Sequence, residues 1–116
     1  MINITSSSRY RLNKDRIKKS AVDFLLSKGL TQELIVNIAF VGRNKMKKVA
    51  GTYKNEPVAL PVLSFKYNEK NDDGRILLGE VVVCYPQAVL LAAERNKKVE
   101  DTLINLIKHG IENLLK

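Results

Sequence analysis

The sequence predicts a three-layer α+β domain with a mixed, mostly four-stranded sheet and about four to five helices. Residues 33–41 are almost continuously apolar, which is typical of a strand that is covered on both faces. Residues 62–84 contain two strand-like segments around an Asn-Asp-Asp-Gly turn, which indicates an antiparallel hairpin. Segments with helical spacing lie between and after these strands without strict alternation, so the pattern favours the α+β class.

The first half of the chain begins with a short strand at Asn3–Thr5 and a helix over residues 13–28. Asn13 suits the N-cap of this helix, and Gly29 suits the position just after its end. The strand at residues 33–41 follows and is expected to be central. A short basic helix over residues 44–50 comes next, and Gly51 is predicted to end it in a left-handed conformation.

The second half begins with the hairpin, whose strands are predicted at Val62–Tyr67 and Arg75–Cys84. Pro86 suits the start of a helix that continues to about Asn96. A final helix from Val99 presents an apolar arc, whose edge is lined by Thr102, Asn105, His109 and Asn113. Length and composition together predict one domain over residues 1–116.

The composition favours a soluble protein. No apolar run approaches the roughly 20 residues that a membrane-spanning helix needs, and the N-terminus lacks the charged start and apolar block of a secretory signal. The single cysteine, Cys84, has apolar neighbours and is expected to be a buried structural thiol rather than a nucleophile. We therefore expect a cytoplasmic protein with no membrane partner.

The positive charge is concentrated in the first half of the chain. Residues 1–58 hold 12 Lys and Arg against 4 Asp and Glu, whereas residues 59–116 hold 8 of each. Such clusters favour a polyanion partner, because neutralising phosphates releases counterions, although a merely solubilising face has the same composition. The candidate polyanion-binding residues are Arg9, Arg11, Lys14, Arg16, Lys18, Lys19, Arg43, Lys45, Lys47, Lys48 and Lys54.

The position of the first basic cluster favours binding over solubilisation. Its lysines and arginines lie mostly in the first two turns of the helix over residues 13–28. The helix dipole disfavours cations there, at a cost of about 0.3–1 kcal/mol for each well-placed charge. Cations that are kept where they destabilise a helix suggest a ligand.

Three short motifs follow one another along the chain. The first is Tyr53-Lys54 with Val62-Leu63-Ser64-Phe65, and the second is Leu78-Gly79-Glu80-Val81 with Pro86. The third is the helix Leu103 to Leu115, which contains His109-Gly110 and Leu114-Leu115. In this order and spacing they resemble the YbeY family of rRNA-maturation endoribonucleases, over nearly the whole chain. The resemblance implies a zincin-like fold, a three-histidine Zn²⁺ site and cleavage of single-stranded RNA during ribosomal RNA processing.

The metal motif of that family is incomplete in this chain. The resemblance assigns the first ligand to His109, but Asn113 stands at the second histidine position, and the third would fall three residues past Lys116. An asparagine carbonyl is a weak substitute for imidazole, and the chain has no other histidine. We therefore expect Zn²⁺ binding to be weak or absent. For His109 a structural or vestigial role is favoured over acid, base or phosphate-binding roles.

Two further positions resemble catalytic residues of the family. Lys54 replaces an arginine near the active cleft, which keeps the charge but not a bidentate grip on phosphate. Glu80 replaces an aspartate and is expected either at the floor of the cleft or at an exposed strand position. Leu60-Pro61 replaces Thr-Asp, which removes a hydroxyl and a carboxylate. The candidate catalytic residues are thus His109, Lys54 and Glu80.

Three functions stay open at this point. The favoured one is a binding module that docks on ribosomal RNA or an assembling small ribosomal subunit through the eleven basic residues above, with catalysis weakened or lost. The alternative is a competent metallo-endoribonuclease whose remaining ligands come from a C-terminal extension or a partner subunit. The third is a structural domain whose basic face only solubilises it. The sequence does not determine the oligomeric state.

Overall fold

Four strands and four helices form in the part of the chain that this computed structural model describes, residues 1–30 and 33–116. The predicted α+β class with a mixed four-stranded sheet is confirmed. In chain order the elements are β1 (Ile2–Thr5), α1 (Lys14–Ser27), β2 (Leu34–Val41), α2 (Arg43–Tyr53), β3 (Val62–Lys70), β4 (Ile76–Cys84), α3 (Tyr85–Glu94) and α4 (Val99–Leu115).

The sheet has the strand order β1-β2-β4-β3. The first three of these strands are parallel, and β3 pairs antiparallel with β4 as the predicted hairpin. β2 is interior, as its apolar sequence predicts, because a strand with covered faces gains most from hydrophobic side chains. β3 is an edge strand, so the last part of α4 and the end of α2 can meet beside it.

The helices cover the two faces of the sheet separately. On one face, α1 and α4 bury a large core against Val36, Ile38 and Val81, and Ala88 of α3 joins this core. On the other face, α2 packs Met46 and Ala50 against a smaller cluster that contains Leu63, Val82 and Cys84. This arrangement gives the three predicted layers.

The ends of α1 follow the sequence prediction. The Asn13 side chain accepts a hydrogen bond of 3.1 Å from the backbone N–H of Arg16, which satisfies one of the free donors at the helix start. Gly29 has φ of +77° just after the helix, a conformation that other residues rarely adopt.

The predicted end of α2 is wrong. Gly51 does not end this helix but lies inside it, and the helix continues to Tyr53 with Lys54 as its C-cap. Asn55, with φ of 55°, takes the left-handed position instead. A β-carbon on Gly51 would lie 3.5 Å from Cβ of Pro57, an ordinary contact distance, so this position has room for alanine as well.

Two glycines set the position of α4 on the sheet. A β-carbon on Gly110 would lie 2.5 Å from Cγ1 of Val81, so only glycine lets the helix approach β4 this closely. Ser64 of β3 donates a 2.9 Å hydrogen bond to the Gly110 carbonyl. On β4, Gly79 leaves the space that Leu114 fills. The motif residues Ser64, Gly79 and Gly110 therefore form the joint between α4 and the sheet.

Cys84 is fully buried, as predicted. Burial raises the pKa of its thiol, although a backbone hydrogen bond at Gln87 and the charge of Arg43 act the other way. We expect Cys84 to react with a thiol reagent much more slowly in the native protein than in guanidinium chloride, because the thiolate is the nucleophile. Equal rates of labelling in both conditions would contradict this.

The raised thiol pKa also makes a prediction for stability. The contribution of the neutral Cys84 thiol to the free energy of unfolding is fully present below the thiol pKa of the unfolded chain, which is about 8.5. It is lost as pH rises from there toward the higher pKa of the folded protein. Chemical unfolding at a series of pH values above neutrality should therefore show a fall in the free energy of unfolding. In the Cys84→Ala variant this part of the fall should be absent.

Candidate functional site

A polar cleft of about 410 Å³ lies beside the edge strand β3. The end of α2, the loop before β3, β3 itself and the last turn of α4 form its walls. Its lining residues are Lys54, Leu60, Val62, Leu63, Ser64, Lys66, Asn113 and Leu114. Two residues from the family-like motifs, Lys54 and Asn113, are thus brought together although they are far apart in sequence.

The cleft is basic. Lys54 and Lys66 both line it, and none of its lining residues in the described part of the chain is a carboxylate. Lys66 was not among the candidate residues from the sequence. The alternation of side chains along a strand could have identified Lys66. It lies two residues after Ser64 and therefore shares the face on which Ser64 meets α4. Two cations with no carboxylate among the other lining residues make this cleft suitable for a phosphate group.

His109 lies one helical turn before Asn113 on the exposed side of α4. Four residues of helix correspond to a rise of about 6 Å, so its imidazole is next to the cleft rather than among its lining residues. Within the described residues its side chain makes no hydrogen bond to protein. No residue there orients this imidazole as a general base requires.

The residues around Asn113 do not fit a three-ligand zinc site. Within residues 1–30 and 33–116, no group of three His, Cys, Asp or Glu side chains lies close enough to hold a metal ion. Asn113 contributes only an amide oxygen, and the two lysines of the cleft would repel a divalent cation. The local chemistry is that of an anion site.

Glu80 lies on the other face of the sheet, away from α4. Val81, the next residue along β4, meets Gly110 of α4, and successive side chains of a strand point to opposite faces. Glu80 is half-buried beside Lys45, Phe65 and Tyr67. The structure therefore does not bring Glu80 to the cleft of Lys54 and Asn113, and the expectation of Glu80 at the floor of that cleft is not met.

The second basic cluster forms an exposed surface on α2. Arg43, Lys45, Lys47 and Lys48 are all exposed, and α2 contains no acidic residue. None of these four side chains takes part in an ion pair with another described residue. Arg43 donates a 3.1 Å hydrogen bond from Nε to the uncharged side-chain oxygen of Gln87. With Lys54 at the end of the helix, this surface leads directly into the cleft.

The first basic cluster is used partly within the molecule. Arg16 donates hydrogen bonds to Glu100 and Asp101 at the start of α4, and these two contacts raise the pKa of its guanidinium. Lys19 pairs with Asp23 at 2.9 Å on α1 itself. The position of Arg16 thus has an internal explanation, and the inference of a ligand from its unfavourable place on the helix dipole is unnecessary for this residue.

The rest of that cluster is exposed, and its loop reaches the start of α2. Arg9, Arg11, Lys14 and Lys18 are exposed. Tyr10, between the two arginines, stacks on Tyr85 with a centroid distance of 4.5 Å and lies against Gly42, the N-cap of α2. Arg9 and Arg11 are therefore carried toward the carboxyl edge of the parallel strands, where α2 begins.

None of the described helices is long and apolar enough to cross a membrane. Comparison with known proteins gives one family: its model, described as Endoribonuclease YbeY, matches residues 2–115. A curated Endoribonuclease YbeY from Thermodesulfovibrio yellowstonii is 32% identical over 82 residues, which are 71% of this chain and 52% of the relative. One from Macrococcus caseolyticus is 29% identical over 92 residues, 75% of this chain and 60% of the relative.

The chain spans between 40% and 65% of the length of the curated relatives with which it was compared. Its fold is similar to the solution structure of a Thermotoga maritima protein, with a TM-score of 0.69 and 22% sequence identity. That likeness covers 100% of this chain and 73% of the Thermotoga protein, and it concerns the fold alone.

Proposed function

The chain belongs to the YbeY family of endoribonucleases, and from this membership we propose that it binds ribosomal RNA, with metal-dependent cleavage weakened or lost. In this proposal the cleft at Lys54 holds a backbone phosphate, and the basic surface of α2 holds the neighbouring phosphates. The protein would then act in the cytoplasm during maturation of the small ribosomal subunit.

One observation carries the proposal: the cleft that contains Asn113 in place of a histidine is lined by two lysines. A metal site needs deprotonated or neutral donors around a dication, whereas a phosphate site needs cations. The polar residues of this cleft meet the second requirement. Lysine binds phosphate as a point charge, without the bidentate geometry of arginine, so the cleft should bind RNA without strong sequence preference.

The zinc ion of the family would supply a metal-bound water as nucleophile, and His109 alone would contribute an imidazole to its coordination. The remaining protein groups of the cleft do not complete such a site. A competent metallo-endoribonuclease is the alternative, with further ligands supplied by a C-terminal extension or a partner subunit. Cleavage of RNA that needs Zn²⁺ and disappears in His109→Ala would favour that alternative.

The proposal is tested by RNA binding at a series of salt concentrations. A fluorescently labelled single-stranded fragment of ribosomal RNA is titrated with the parent protein and with the double variant Lys54→Gln/Lys66→Gln. The slope of log K against log salt should become shallower by about 0.7 in the variant, because the cleft holds one phosphate and each lost single-strand phosphate contact removes about 0.7. Affinity should fall for all RNA sequences alike.

A matched control keeps the change in net charge but leaves the cleft intact. Lys70, at the far end of β3, and Lys97, between α3 and α4, are both exposed, and Lys70→Gln/Lys97→Gln should bind RNA like the parent. An equal loss of RNA affinity in both double variants would mean that net charge alone causes the loss. That result would contradict a phosphate site in the cleft. Salt-independent binding would contradict the proposal as a whole.

A further inference from the structure

A second pocket, of about 210 Å³, lies on the sheet face opposite α4. One wall is a stripe of α2 with four-residue spacing, Lys45, Val49 and Tyr53. The remaining lining comes from three adjacent strands and comprises Ala39, Val41, Phe65, Tyr67, Glu80 and Val82. The pocket is smaller than the roughly 300–1,000 Å³ clefts that hold drug-sized ligands, so its occupant is a small group.

Aromatic side chains dominate the open side of this pocket. Tyr53 is 68% exposed and Tyr67 is 44% exposed, so both rings are accessible to a ligand. Tyr53 meets the ring of Phe65 edge to face, with 4.7 Å between centroids. The Tyr53 ring, which this contact holds, presents a flat surface to solvent, as in proteins that stack the bases of single-stranded nucleic acids.

The charge around the pocket indicates which partner fits it. α2, which forms one wall, carries four cations and no acidic residue. This surface is complementary to a phosphate backbone and would repel a basic protein segment. An aromatic pocket beside a row of lysines is the combination by which proteins hold single strands, with the bases on the rings and the phosphates on the cations.

Glu80 supplies a hydrogen-bonding group inside the pocket. An ionised carboxylate only accepts hydrogen bonds, so it attracts base edges that present N–H groups and repels edges that present carbonyl oxygens. Guanine presents two adjacent N–H donors on its pairing edge and can meet both carboxylate oxygens. Uracil presents carbonyl oxygens on either side of a single N–H.

We infer that this pocket is a nucleobase subsite, in which Tyr53 and Tyr67 stack an unpaired base and Glu80 favours guanine over uracil. Lys45 lines the α2 wall of the same pocket, and in this inference its ammonium group binds the phosphate of the stacked nucleotide. The inference rests on the proposed function in one respect, since it takes RNA as the ligand. It adds a second contact region, on the face opposite the cleft of Lys54, and a base preference that the cleft does not provide.

The test uses two single-stranded seven-nucleotide RNAs, one of uridines only and one with a central guanosine. The guanosine-containing strand should bind more tightly, by at least about fivefold, the lower end expected for one bidentate contact. Glu80→Gln should remove most of this difference, because an amide offers one acceptor and one donor. Tyr67→Ala should weaken both strands by about fivefold or more, as the loss of one stacking ring does.

Two controls make the result specific. Leu90→Ala removes an exposed apolar side chain from α3, away from the pocket, and should bind both strands like the parent. Nuclear magnetic resonance titration with guanosine 5′-monophosphate should shift the backbone amide signals of Phe65, Tyr67 and Glu80. Titration with uridine 5′-monophosphate should shift them less at the same concentration.

The outcomes separate this inference from the proposed function. Loss of RNA binding in Lys54→Gln/Lys66→Gln, with no change in Tyr67→Ala and Glu80→Gln, would overturn the base subsite and leave the proposed function standing. Equal binding of both strands by the parent would overturn the guanine preference. Pocket amides that shift on titration with a ribosomal protein but not with either nucleotide would make this surface a protein interface and overturn the inference.

Discussion

Replacing Gly79 by alanine is expected to destabilise the protein by roughly 3 kcal/mol or more, the upper range for overpacking a core. A β-carbon at this position would lie 2.6 Å from Cδ2 of Leu114 and closer than 3.0 Å to the carbonyl oxygen of Phe65. The leucine can turn away, but the carbonyl belongs to the backbone of the paired strand β3. The clash is therefore relieved only by moving β3 away from β4.

Thermal and chemical unfolding measure this loss, which corresponds to a fall in melting temperature of about 10–20 °C for a domain of this size. Gly51→Ala is the matched control. Gly51 lies inside α2 and has its nearest foreign atom 3.5 Å from the added β-carbon, so alanine there should stabilise the helix by about 0.5–1 kcal/mol. A Gly79→Ala variant as stable as the parent would contradict the close approach of the two strands.

The sequence predicted the elements well where the signal is local. The Asn13 cap, the apolar strand β2 and the hairpin of β3 and β4 depend on neighbouring residues, and each lies where it was expected. Gly51 shows the limit of such reasoning, because a glycine can end a helix or lie inside one. Here the helix continues to Tyr53, and Asn55, four residues after Gly51, takes the left-handed position instead.

The candidate site was predicted less completely, for a physical reason. Lys54 and Asn113 meet because α2 and α4 both end beside β3, and no local pattern states where two helices end relative to a strand. Glu80 could not be assigned to a face from its neighbours, since β4 is apolar on both sides. Three of the residues that the chain keeps from the family motifs, Ser64, Gly79 and Gly110, serve the packing of α4. Packing constrains them whether or not a metal binds.

Because the packing residues of α4 are present while the second histidine is not, one substitution is expected to increase metal binding. Asn113→His would place a second imidazole four residues after His109, on the same side of α4, where two ligands can share one metal ion. Structural zinc sites with four ligands contribute about 10–16 kcal/mol, or roughly 2.5–4 kcal/mol for each ligand. We therefore expect Zn²⁺ affinity to rise on the order of a hundredfold.

Isothermal titration with Zn²⁺, supported by the rise in melting temperature at saturating metal, measures this affinity. Lys116→His is a matched control, because a histidine seven residues from His109 is about 10.5 Å further along the helix axis and cannot share its metal ion. The double variant His109→Ala/Asn113→His should lose the gain. Equal affinity in all three variants would mean that Zn²⁺ binds elsewhere.

The cleft around the new histidine should limit the gain through its charge. Lys54 and Lys66 line the same cleft as residue 113, and their positive charges oppose a bound dication. Lys54→Gln in the Asn113→His background should therefore raise Zn²⁺ affinity further, while the same change should weaken RNA binding in the parent. Opposite effects of one substitution on the two ligands are expected only if metal and phosphate compete for the same cleft. If Lys54→Gln leaves Zn²⁺ affinity unchanged, the ammonium group of Lys54 lies too far from residue 113 to act on a metal ion bound there. Lys54 would then not have taken the place of the metal ion in this cleft.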